Sequence, residues 1–171
     1  MTAYIACGLT AVPRGVFKDY TNFIHQLASA LKTSSCDAVR YALVDSDPQL
    51  AEKPQNERAR LCYLWDRELV EQADVVVADG TFPSIGLGIE LQIAESRDIP
   101  IVLSFRKTAS NRLAPIEYEN PDHTHHFLQI GEGFVSLMAL GLPAIFRIVE
   151  YRDESDGIRQ IAEAVSLLQR K

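Results

Sequence analysis

Short, mostly apolar runs alternate along this chain with stripes of helical spacing. The runs fall at residues 3–7, 39–44, 75–78, 100–105 and 145–151, and each predicts a strand. The run at 75–78, three valines and an alanine, reads as buried on both faces, as in a parallel sheet. Between the runs, apolar residues return every three or four positions, which predicts helices. Tyr20, Phe23, Ile24, Leu27, Ala28 and Leu31 mark a helix over 17–31, and Leu61, Leu64, Trp65, Leu69 and Ala73 one over 55–73. A third follows over 86–97, and Ile158, Ile161, Ala162, Val165 and Leu168 mark a last one over 157–168. Strands alternating with helices predict a single α/β domain over 1–171. Its five-stranded, mostly parallel sheet would be flanked by helices, as in flavodoxin-like or Rossmann-like folds. Residues 45–54 read as a loop, 106–130 as a polar loop rich in Asn and His, and 132–140 as holding a short helix.

In such sheets ligands sit beyond the carboxyl ends of the strands. Those ends here are 8–15, 79–88 and the loop after Phe105. The stretch 73–94 is the most informative: a strand, a Gly/Pro/Ser loop, then a helix start whose backbone N–H groups could meet an anion. Within it Glu90 stands among Leu87, Leu91 and Ala94, the neighbours that share its helix face, and Gly86 and Gly88 leave space before it. A carboxylate against apolar side chains is costly without a purpose; the plain alternative is an acid complementing the helix dipole. Ser84 reads as an N-cap, an anion contact, or both. Asp66, inside the 55–73 helix, is either a solvated surface acid or a second carboxyl for Glu90, the pairing that glycosidic cleavage uses. Gly8 ends the first run, and Arg14, past Pro13, could grip a phosphate or stay solvated. Neither a G-x-G-x-x-G fingerprint nor a Walker loop is present.

Composition narrows the ligand. A net charge of −6 argues against a nucleic-acid polymer and leaves a single nucleotide open. No apolar run reaches the ~18 residues of a membrane span, and Met1 to Cys7 lacks a basic leader, so no membrane association or signal peptide is expected. Cys7, Cys36 and Cys62 have no metal spacing and cannot all pair, which fits a reducing cytoplasm. His123, His125 and His126 cluster without a framing helix, so no metal or other cofactor is expected.

At these residues the chain resembles the nucleoside 2-deoxyribosyltransferase superfamily, most of all its 2'-deoxynucleoside 5'-phosphate N-hydrolase branch. The carriers are Trp65-Asp66, the stretch from Glu71 to Asp79, and Pro83-Ser-Ile-Gly-Leu-Gly-Ile-Glu-Leu91. The resemblance implies that Glu90 attacks C1' and forms a covalent glycosyl-enzyme, and that Asp66 positions it or protonates the departing base. It implies that Ser84 binds the 5'-phosphate with the backbone of Gly86 and Gly88. The loop after Cys7-Gly8 would close over sugar and phosphate, with Arg14 a candidate contact. A homodimer is implied too, because family sites borrow from a neighbouring subunit. The family's first-strand tyrosine, which touches the catalytic glutamate, aligns with Ile5; Tyr4, one residue away, would point to the opposite face of the strand. No serine matches the neighbour's late-loop phosphate contact near Ala144, and 107–140 is longer than the family's usual connection.

The expectation is therefore hydrolysis of the N-glycosidic bond of a (2'-deoxy)nucleoside 5'-monophosphate. Such a reaction passes through an oxocarbenium-like state that a carboxylate at C1' stabilises. The helix N-terminus would keep Glu90 ionised while Asp66 titrates higher. The alternatives are a deoxyribosyltransferase exchanging bases, a module that binds nucleotides without turnover, and a flavodoxin-like interaction module.

Overall fold

Two apolar faces of one parallel sheet organise the molecule. The structure, a computed structural model, describes residues 1–169. The last two positions of the expected 1–171 domain lie outside the described residues. The elements run β1 (Thr2–Cys7), α1 (Phe17–Ser34), β2 (Ala38–Tyr41), α2 (Ala42–Asp45), α3 (Asp47–Leu50), α4 (Gln55–Glu71) and β3 (Val75–Asp79). Then follow α5 (Ile85–Ser96), β4 (Ile101–Arg106), a 3-10 turn (Ala109–Asn111), β5 (Glu117–Glu119), β6 (His125–Phe127), α6 (Leu137–Leu140), β7 (Ile145–Tyr151) and α7 (Glu154–Leu168). The main sheet has the order β2-β1-β3-β4-β7, and all four pairings are parallel. The expected five-stranded α/β architecture is therefore present.

Because side chains alternate across a strand, β1 divides its residues between two cores. Ala3 and Ile5 join Val75 and Val77 under α1 and α7, while Tyr4 and Ala6 join Val76 and Ala78 under α4 and α5. The α1 stripe is buried at the six positions expected from its spacing. The α4 stripe is not: Leu64 is exposed, Leu61 and Trp65 are half-buried, and Val70 is the helix's one fully buried residue. Helix α4 therefore rests on the sheet by one end and turns much apolar surface outward.

Two local expectations need correcting. The run at 39–44 is a strand only to Tyr41. There Asp45 accepts from the Tyr41 backbone N–H at 2.9 Å and from Arg40 at 2.7 Å, and the chain coils into α2 and α3 instead of the expected loop. The segment 106–130 is not a plain loop. It holds a solvent-exposed hairpin of β5 and β6, in which His123 pairs with Glu119 and His125 with Glu117. The parallel crossover from β4 to β7 thus carries only the four-residue α6 where a longer helix is usual.

At the carboxyl end of β3, Asp79 is wholly buried. It accepts hydrogen bonds from the Tyr20 hydroxyl at 3.1 Å, the Tyr151 hydroxyl at 2.9 Å, the Ser104 hydroxyl at 3.1 Å and the Thr81 N–H at 3.2 Å. Tyr151 packs on Gly157, where a Cβ would fall 2.7 Å from its ring, so glycine seats the tyrosine. One carboxylate thereby ties α1, β4 and β7 to β3. Asp79→Ala would leave several buried hydroxyls short of an acceptor. The expected loss is about 3 kcal/mol of unfolding free energy, read as a lower urea midpoint with unchanged slope.

Candidate active site

The pleat of β1 aims Tyr4 at α5. Its hydroxyl donates to Glu90 Oε1 at 2.5 Å, the short distance of a charge-assisted bond. The tyrosine–glutamate contact that the resemblance calls for is therefore made by Tyr4. Aligning on Cys7-Gly8 had placed Ile5 there and turned Tyr4 away. The structure reverses this, because Tyr4 is the residue on the α4/α5 face and Ile5 lies under α1.

Burial dominates the electrostatics of Glu90. Desolvation pushes its carboxyl up to about 8; the Tyr4 hydrogen bond opposes the rise, and the negative charge of Asp66 adds to it. The expectation that the helix N-terminus keeps Glu90 ionised is thus overturned: loss of water outweighs the helix dipole at a residue one and a half turns in. Asp66, on α4, is held by two donors. The buried Ser46 hydroxyl donates to its Oδ1 at 2.6 Å, and the Cys62 thiol, one turn earlier on the same helix, to its Oδ2 at 3.4 Å. Burial and the Asp66 charge raise the Cys62 thiol to about 11, so it remains a neutral donor.

Ser84 caps α5, its hydroxyl accepting from the Leu87 N–H at 3.3 Å. Gly8 packs beneath it: a Cβ at that position would meet the Phe82 carbonyl at 2.7 Å and Ser84 Cβ at 2.8 Å, so glycine lets the β1 loop approach the cap. Gly86 and Gly88 are exposed on the first turn of the helix, and Gly88 has open space above it. Arg14 is not brought here. Its guanidinium lies over the Phe17 ring, 5.7 Å from the centroid, and does not line the cavity beside Ser84. That cavity, of about 920 Å³, lies between α5 and the 110–142 segment. Ser84, Gly88 and Ser136 line it, whereas Glu90, Tyr4 and Asp66 do not. Among the described residues, no three His, Cys, Asp or Glu side chains are grouped to hold a metal ion.

The comparisons follow from this geometry. No family model matches the chain. It is 36% identical over 62 residues to a protein of Syntrophotalea carbinolica named as a candidate 2'-deoxynucleoside 5'-phosphate N-hydrolase, a stretch covering 36% of this chain and 44% of that one. The match thus spans less than half of that relative's length. In fold, the chain is similar to a CMP N-glycosidase of Clostridium botulinum, with a TM-score of 0.55, 13% identity, and 94% and 98% of the two chains covered. A conserved protein of Enterococcus faecalis V583 gives a TM-score of 0.55 at 19% identity, covering 95% and 98%. These likenesses cover one 62-residue stretch in sequence and most of the chain in fold. Of the residues that carry the resemblance read from the sequence, Asp66 lies on α4, Ser84 caps α5 and Glu90 lies in the N-terminal half of α5. Sequence reading missed three partners: Tyr4 by one position of register, and Ser46 and Cys62 because nothing local marks a serine or cysteine as a carboxylate's donor.

The opposed influences on Glu90 give a signed test. Tyr4→Phe removes the interaction that favours the carboxylate, so Glu90 should titrate higher; Asp66→Asn removes a negative neighbour, so it should titrate lower. Carboxyl-carbon NMR of labelled glutamate reads both directions. A shift of the same sign in the two variants would contradict the arrangement.

Proposed function

We propose that this chain hydrolyses the N-glycosidic bond of a nucleoside 5'-phosphate, with Glu90 as nucleophile. The observation that carries this is the part-buried Glu90 carboxyl, hydrogen-bonded by Tyr4 and facing the charge of Asp66 beside the capped N-terminus of α5. The relative's name as a 2'-deoxynucleoside 5'-phosphate N-hydrolase and the neighbour's as a CMP N-glycosidase support the reaction class.

In this reading the 5'-phosphate lies at Ser84 and the first-turn N–H groups of α5, where the helix dipole favours an anion. That contact sets C1' against Glu90. As the C1'–N bond breaks, positive charge develops on the sugar, and a carboxylate in a poorly hydrated site stabilises it strongly. One Glu90 oxygen then bonds C1' as the C1'–N bond breaks, and the base departs with a proton from solvent water, which the later hydrolytic water returns. Water subsequently cleaves the glycosyl ester, giving the sugar 5-phosphate and restoring the carboxylate. Tyr4 holds the nucleophile's other lone pairs in place. Asp66, fixed by Ser46 and Cys62, keeps negative charge opposite the sugar and positions Glu90.

A carboxyl that titrates near 8 is mostly protonated at pH 7, and the nucleophile is its ionised form. Base release should therefore show kcat/KM rising with pH and levelling above about 8, since that ratio reports the free protein's groups. Glu90→Gln should reduce release to background while nucleotide binding persists. Ser84→Ala should raise KM for a 5'-phosphorylated substrate by about 10-fold, one hydrogen bond to a charged group, and leave an unphosphorylated nucleoside unaffected. Chromatography of free base from a panel of ribo- and deoxyribonucleoside monophosphates checks all three. Reaction with free nucleosides only, and only with an acceptor base present, would instead favour the transferase.

The same reading includes a homodimer. Tyr63 and Leu64 on α4, Ile85 and Ile89 on α5, and Met138 on α6 are exposed apolar residues, and a second copy would cover them. Light scattering should give a mass of two chains, and Ile85→Asp together with Ile89→Asp should return it to one.

A further inference from the structure

The cavity lies against α5 beside Glu90 but is not lined by it. Ser84, Leu87, Gly88, Leu91 and Gln92, which line it, recur at the spacing of one helix face. Glu90, expected to share the face of Leu87 and Leu91, is instead turned from that row toward Tyr4. The two sides meet at the N-cap, and Ser84 is where they join. A nucleotide with C1' at Glu90 and its phosphate at Ser84 would fill one side only. The other, about 920 Å³ and walled by Leu103, Leu113, Leu128 and Phe134, has room for a further organic group.

Charge points the same way. A terminal phosphate monoester carries nearly two negative charges at neutral pH, whereas a diester carries one. The cavity lining holds a single cation, Arg112. Its guanidinium is already engaged, lying over the Phe134 ring at 5.9 Å and donating to the Glu132 carbonyl at 3.0 Å. Arg14 is turned onto Phe17. What this chain offers a phosphate at Ser84 is a hydroxyl and helix N–H groups, which match one charge better than two.

We propose that the substrate is a nucleotide esterified on its 5'-phosphate, a phosphodiester whose second group, at least partly apolar, occupies the cavity. The inference rests on the hydrolase reading above. The chemistry is unchanged: the C1'–N bond breaks, the Glu90–C1' bond forms, and water releases a sugar phosphate ester with its substituent still attached.

The test compares nucleoside 5'-monophosphates with their 5'-(p-nitrophenyl) phosphate esters, base for base, following free base released by the full chain. The expected result is a kcat/KM for the ester at least about 10-fold above that for the monophosphate of the same base. Leu128→Trp, which places an indole in the cavity from a half-exposed position, should lower the ester-to-monophosphate ratio by a similar factor. Equal or slower reaction of the esters, or a ratio unmoved by Leu128→Trp, overturns the inference and leaves the hydrolase reading standing. Release of base from neither class overturns the hydrolase reading itself.

Discussion

A part-buried carboxyl group, with one hydroxyl donating to it in place of much of its hydration, is the constraint around which this molecule is arranged. Glu90 reaches that state because α5 lies across the sheet with its N-terminal half above β1, and because the pleat of β1 lifts Tyr4 toward it. A one-residue slip of β1 against β3 would send Tyr4 to the α1 side and leave Glu90 without a donor. The parallel register is held on both sides, Ala3 opposite Val39 and Val75, so the hydrogen bond at the site inherits its precision from the ladder.

The contrast with Asp79 shows what that arrangement costs. Both carboxyls are held up in their titration by burial, yet Asp79 has four donors from three surrounding elements and Glu90 has Tyr4. A carboxylate so fully engaged has no lone pair to offer a substrate and serves as a fastening. One with a single partner keeps an oxygen free. The same residue chemistry thus gives a structural joint at one strand end and, in the function proposed above, a nucleophile beside the neighbouring strand.

The strand–helix order, the α1 stripe and the grouping of Ser84 and Glu90 on α5 were legible in the sequence because each follows from a period or a helix start. The limits of legibility are equally physical. Val39 to Val44 looks like one strand because apolar character does not distinguish a strand from the buried side of a short helix, and Asp45 folding back on Tyr41 decides it. Leu64 and Trp65 keep helical spacing while facing outward, since periodicity marks an apolar face and not what covers it. The titration of Glu90 depends on its burial in the assembled fold and on Tyr4 and Asp66 from distant parts of the chain, which no local pattern encodes. The hairpin of β5 and β6 is written in short polar strands whose only signal is the turn before His123, a residue in the left-handed region.

Replacing a long crossover helix by a hairpin and four helical residues between β4 and β7 has an evolutionary consequence. A helix in that position would be bound to the sheet by its packed face, and its sequence would be constrained by the core. A loop anchored at its ends, where Lys107 pairs with Glu150 and Glu95 accepts from the Ala144 N–H, can change length and composition with little effect on the strands beneath. Under the proposed function, the parts that would recognise a ligand's periphery and the parts that would touch its reacting carbon are then mutationally uncoupled. Such a chain can acquire new clients by drift in one surface segment while its chemical centre is inherited intact.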